Sequence, residues 1–147
     1  MKKFIYIFLV YFLLGNIATA GSMIPLNKYI EDNSKHLEDP ITRAYILKRC
    51  AAAYLYAGGI TQANKDMSNS FVAAYKKVAI FTGEMLMKEM GWSEKVASKS
   101  LFTDVENMGE NYAKDGNDSV AKTGKYMQGN YIGQDLKICK GVTESLN

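Results

Sequence analysis

The chain has little of what most recognisable activities require. Its 147 residues include two prolines, two cysteines, one histidine and one tryptophan. With proline confined to Pro25 and Pro40, nothing after position 40 forbids long helices. Strand signatures are also missing. There is no sustained period-two alternation, few Val and Ile cluster, and no Asn-Gly pair marks a hairpin. A zinc site or a nucleophile–histidine triad needs several N/S ligands or a base, which a single His36 in the polar stretch Asp32–Asp39 does not supply. His36 is therefore read as solvated, with no catalytic, metal or cofactor-binding residue assigned. No Cys-x-x-Cys occurs, so a redox-active thiol pair lacks its usual setting.

What is present begins at the N-terminus. Met1, Lys2 and Lys3 precede an apolar run from Phe4 to Leu14, and Ala18-Thr19-Ala20 follows. That is the charged, apolar and small-residue order of an export signal. The apolar run, about 11 residues, is too short to cross a hydrocarbon core, which needs roughly 20. No second long apolar segment follows, so no stable membrane insertion is expected after cleavage, and residues 1–20 are assigned to a cleaved signal peptide. The two lysines suit a bacterial signal. The expected destination is the periplasm, with secretion the alternative.

Removing residues 1–20 removes two lysines and no acid, so the mature charge is (18 − 2) − 15 = +1. That balance offers no electrostatic argument for nucleic acid. In an oxidising compartment Cys50 and Cys139 are expected to form one disulfide. Closing that 89-residue loop restricts the unfolded chain by about 4–5 kcal/mol in the chain-entropy model.

Helical periodicity organises the rest. Residues 21–38 read as an N-terminal arm, with a short helix around Leu26–Lys35, and 39–147 as the helical domain. Asp39 is an N-cap with Pro40 at the first helical position, and Gly58-Gly59 is the stop. The stripe Ile46, Leu47, Cys50, Ala53, Tyr54 and Ala57 is the expected core face. Met67, Phe71, Ala74, Val78, Phe81 and Met85 are spaced 4, 3, 4, 3, 4, which predicts a buried heptad seam ending near Gly91. Ser93 caps a third helix on Ala97, Leu101, Val105, Met108 and Tyr112. It is expected to stop near Ala113, before a turn at Asp115-Gly116-Asn117. A fourth helical region follows, weakened near Gly129 and ending at Gly141. Glu31–Lys35, Glu84–Lys88, Glu110–Lys114 and Asp118–Lys122 mark solvent faces.

The expected fold is thus all-α, a small antiparallel bundle of about four helices closed by one disulfide. In up-and-down order the first and last helices run antiparallel, which places Asp135 beside Tyr54 as a supporting pair and Val142 near Ile46 or Leu47. Tyr56 and Tyr126 lie off the core stripes and are the candidate interaction surface. Met85 and Met87 are soft ligands of the copper(I) type, but on a helix they point about 200° apart. Among Glu84, Glu89, Glu94, Asp104, Glu106 and Glu110, an acid pair across a cleft would make a glycoside hydrolase. The expectation carried forward is an exported binding or interaction protein without catalytic activity and without cofactor. Its partner is a protein or small molecule left unidentified, and a cell-wall glycan hydrolase is the alternative. Protein recovered from the exporting host should have the intact mass of a chain beginning at Gly21; a product retaining Lys2 and Lys3 would refute cleavage.

Overall fold

The computed structural model describes residues 23–146; the expected signal, residues 1–20, lies outside the described residues. Five α-helices and one 3₁₀ turn account for most of them: α1 (Leu26–Asp32), the 3₁₀ turn (Ser34–His36), α2 (Pro40–Ile60), α3 (Lys65–Met90), α4 (Glu94–Thr123) and α5 (Ile132–Ser145). Among the described residues there is no strand. The count is five rather than four because the arm supplies α1. Leu26 of α1 is fully buried, so this helix is docked onto the rest.

The helix boundaries follow local chemistry. Asp39 accepts the Thr42 N–H at 2.8 Å, with Pro40 in the first turn. Asn64 and Ser93 cap α3 and α4 in the same way. Gly91 and Gly124 close those helices in the left-handed conformation, at φ 67° and 75°, where a Cβ is penalised.

The second helix is the centre of the molecule. The expected stripe from Ile46 to Ala57 is buried, and so are Ala51 and Ala52 on its other sides. A helix buried on most of its circumference lies inside a bundle, and here only the side that carries Ile41, Leu55 and Gly59 is exposed. The alanines let α3, α4 and α5 approach α2 from different directions.

The heptad seam of α3 is only half right. Val78 and Met85 are buried, but Met67 is 47% and Phe81 38% exposed. Thr82 and Leu86 take buried positions instead, with the Thr82 hydroxyl donating to the Val78 carbonyl. A 3.6-residue helix against one central neighbour turns away from a strict seven-residue repeat, so not every seam position can face it: Met67 and Phe81 turn to solvent while Met85 stays buried.

The expected turn at Asp115-Gly116-Asn117 is absent. Helix α4 runs through it for 30 residues. Gly116 is there for close approach, not for a bend: a Cβ on it would lie 1.8 Å from the Tyr56 hydroxyl oxygen. The chain turns instead between Gly124 and Tyr131, and α5 then continues past Gly141 to Ser145.

The disulfide forms as expected. Cys50 and Cys139 are both fully buried, with Cα atoms 5.2 Å apart. The helices it joins are not antiparallel neighbours, however. Ile132 and Asp135, before Cys139, meet Gly116 and Tyr112 of α4. Val142 and Leu146, after it, line a hollow with Phe81 and Met85 of α3. Thr143 reaches Tyr54, beyond Cys50, whereas Val142 shares that hollow with Ile46 and Leu47, before Cys50. Contacts in both senses along α2 mean that α5 lies across it, from the α4 flank to the α3 flank.

The acid–lysine pairs do mark solvent faces, since all eight of their residues are exposed. The Tyr56–Gly116 contact generates a test. Gly116→Ala gains about 1 kcal/mol of helix propensity but overpacks a filled site at a cost of about 1–3 kcal/mol. A net loss is expected in the urea midpoint. The cost should shrink in a Tyr56→Phe background, and a stabilised Gly116→Ala single variant would refute the contact.

Candidate functional site

Two places in the molecule concentrate chemistry: a buried polar hub and an open groove. The hub is built on Asp135, one turn before Cys139 and fully buried. Its Oδ1 accepts the Leu26 N–H at 2.8 Å. Its Oδ2 accepts from Arg49 Nη2 and from the Tyr112 hydroxyl, each at 2.6 Å. Arg49, also fully buried, donates from Nε to Tyr112 and from Nη1 to Tyr45, at 3.0 and 3.2 Å. Its guanidinium carbon lies 5.6 and 5.4 Å from the ring centroids of Tyr112 and Tyr131, a cation–π arrangement that suits a desolvated arginine.

Burial, opposed by the nearby Arg49 charge, raises the Tyr112 phenol far above its ordinary value. Tyr131 is raised by burial and by donating to Asp115 at 2.5 Å. Burial pulls Arg49 down, but Tyr112 and Asp135 outweigh it and hold the guanidinium above its ordinary value. The tyrosines thus stay protonated as donors and Arg49 stays charged. Both oxygens of Asp135 are occupied and none of it reaches solvent, so the hub joins α1, α2, α4 and α5 around a carboxylate closed off from water.

This corrects the expected Tyr54–Asp135 pair. The Tyr54 hydroxyl bonds Thr143 Oγ1 at 3.0 Å, and Asp135 takes Arg49 and Tyr112 instead. With α5 crossing α2, Thr143 reaches Tyr54 while Asp135 points to the α4 side. Arg49 was missed as a hub residue, although a charge flanked by Cys50 and three alanines was its signal. Lys48 is a similar case: it is buried and donates to Ser100 and Asp104 at 2.8 and 2.6 Å, with Trp92 beside it.

The groove lies between α2, α3 and α4. It has a volume of about 490 Å³ and is lined by Leu55, Tyr56, Tyr75, Phe102, Val105, Glu106 and Gly109. Leu55 is 44% and Phe102 58% exposed, so apolar side chains stand in water at its mouth. Comparison of the chain with protein-family models, with curated proteins and with solved structures finds no match.

Of the expected interaction pair, Tyr56 is half-buried and lines the groove, while Tyr126 is exposed. Burial, with Tyr126 nearby, pushes the Tyr56 phenol up to about 12. Its hydroxyl is buried against Gly116 without a hydrogen-bond partner among the described residues. Tyr56 thus presents its ring rather than its hydroxyl.

The acid candidates do not converge in the hollows. Glu106 is the one carboxylate lining the groove. Glu89 lines a second hollow of about 310 Å³ and is ion-paired with Arg43. Asp104 lines a third of about 170 Å³ and is paired with Lys48. Met85 is buried and Met87 exposed, on opposite sides of α3. His36 is exposed. No cluster of His, Cys, Asp or Glu suited to a metal occurs among the described residues, and none of their helices is long and apolar enough to cross a membrane.

Asp135→Asn should destabilise the fold by about 3–5 kcal/mol, because it leaves Arg49 charged and buried without its counter-ion. Equilibrium urea unfolding measures this. A midpoint within error of the parent would show that the hub does not hold the helices together.

Proposed function

We propose that this chain is an exported protein of the periplasm that works by binding rather than catalysis, with the groove between α2, α3 and α4 as its recognition surface. The observation that carries this reading is the pair Leu55 and Phe102, large apolar side chains exposed at the mouth of an apolar concavity. Its volume falls in the range of roughly 300–1,000 Å³ typical of ligand sites. Their partial exposure forgoes about half of the roughly 1.5–3 kcal/mol that full burial of each would bring, and unlike the other exposed large apolar side chains of the described residues these two share one concavity. Tyr56 and Tyr75 add the rigid, amphipathic contact area favoured at interfaces.

Export is supported by the charged, apolar and small-residue start of the sequence and by the fully buried Cys50–Cys139 disulfide, which suits an oxidising compartment. The glycan-hydrolase alternative has no observation in its favour, because a two-carboxylate mechanism needs a second acid across the cleft from Glu106.

The test compares the mature protein, tethered and exposed to periplasmic extract, with a Leu55→Ala, Phe102→Ala double variant. Both side chains are exposed, so the variant should unfold with a midpoint close to the parent. Components retained by the parent, further copies of the chain included, should be lost by the variant. Retention that is unchanged would overturn the groove as recognition surface. Release of sugars from cell-wall glycan that Glu106→Gln abolishes would replace binding by catalysis.

A further inference from the structure

We infer that the partner of this surface is a second copy of the same chain, docked with its α4 antiparallel to the first α4 about a two-fold axis beside Phe102. This inference rests on the groove being an interaction surface. The occupant is identified by the charge pattern along α4.

Lys95, Lys99, Phe102 and Glu106 are spaced 4, 3, 4 along α4 and share one face, with Glu110 next to Glu106 on the same side. All five are exposed. The face is basic on one side of Phe102 and acidic on the other. Such a stripe is its own complement when a second helix is laid against it head to tail. With the axis between Phe102 and Thr103, Lys99 lies level with the mate's Glu106, and Lys95 with the mate's Glu110. Both matches come from the same axis, which a chance arrangement of four charges would not require.

Only Glu110 has an opposite charge one turn away on its own helix, Lys114. Among the described residues none of the four takes part in an ion pair. Lys95 with Lys99, and Glu106 with Glu110, are instead like charges at i, i+4, an arrangement that weakens an isolated helix. The mate supplies opposite charge at each level. Phe102, more exposed than Leu55 in the groove lining, meets its symmetry mate beside the axis, where the two grooves adjoin. A mature charge near zero leaves little long-range repulsion between copies.

The sequence of charge reversals decides the matter, read by sedimentation velocity over a range of concentrations on the mature exported protein. The parent should show a monomer–dimer equilibrium. Lys99→Glu places four acids around the axis, and Glu106→Lys places four lysines there. Either should weaken self-association by about tenfold or more. Combining both substitutions in one chain restores opposite charge at each level and should restore the dimer. Mixing the two single variants should do the same, because each then meets the complement it lacks in itself. Circular dichroism confirms that the variants keep their helix content; should either lose it, the pair Lys95→Glu and Glu110→Lys asks the same question one turn further from the axis.

A chain that stays monomeric, a dimer indifferent to the reversals, or single variants that fail to associate when mixed would each overturn the proposal. In those cases, groove-dependent retention of some other protein would leave the binding reading standing, whereas its absence as well would remove both.

Discussion

The buried carboxylate of Asp135 is the point on which the architecture turns. It gathers the first backbone N–H of α1, the guanidinium of Arg49 on α2 and the phenol of Tyr112 on α4 onto a side chain of α5. Each of those groups would be costly to bury alone. Together they use both carboxylate oxygens and two of the guanidinium nitrogens, and Tyr45 takes the third. Replacing such a cluster by well-packed apolar residues is often neutral or stabilising. Its role here is therefore better understood as specification: only one placement of α1 and α5 satisfies every donor. The disulfide, one turn away, constrains the same crossing covalently.

That crossing shapes everything outside it. Because α5 lies over one side of α2, the α4 flank is tied down at Tyr112 and Gly116, and the α3 flank at Thr143 through Lys77 and Tyr54. The side of α2 that carries Leu55 is left without a covering helix. Tyr75 and Phe102 stand there as the walls of a groove with Val105 at its base. The open surface is apolar because Leu55 and Tyr56 of α2 face Phe102 and Val105 of α4 there.

The chemistry of the two places divides accordingly. The hub has strongly perturbed tyrosines and a buried ion pair, features that elsewhere accompany catalysis, yet no solvent reaches its carboxylate. The groove is accessible but holds a single acid. A reactive centre needs both properties in one place. Their separation is what supports the proposed binding role, in which the groove rather than the polar core meets a partner.

Much of this was legible in the chain. Scarce proline and a 3.6-residue apolar rhythm give an all-helical fold, Asp39 and Ser93 start helices by local hydrogen bonding, and two buried-stripe cysteines pair because nothing else is available to them. These are properties of neighbours in sequence or of composition. Tertiary structure alone decided that α5 crosses α2 rather than lying alongside it, that Asp135 chooses Arg49 over Tyr54, and that Phe81 faces water while Thr82 does not. Gly116 shows why. By sequence it is a turn residue between Asp115 and Asn117; in the fold it sits mid-helix, because the space its missing Cβ leaves is occupied by Tyr56, sixty positions earlier. Local propensity ranks what a segment prefers, but the approach of distant side chains determines which preference the packed chain can keep.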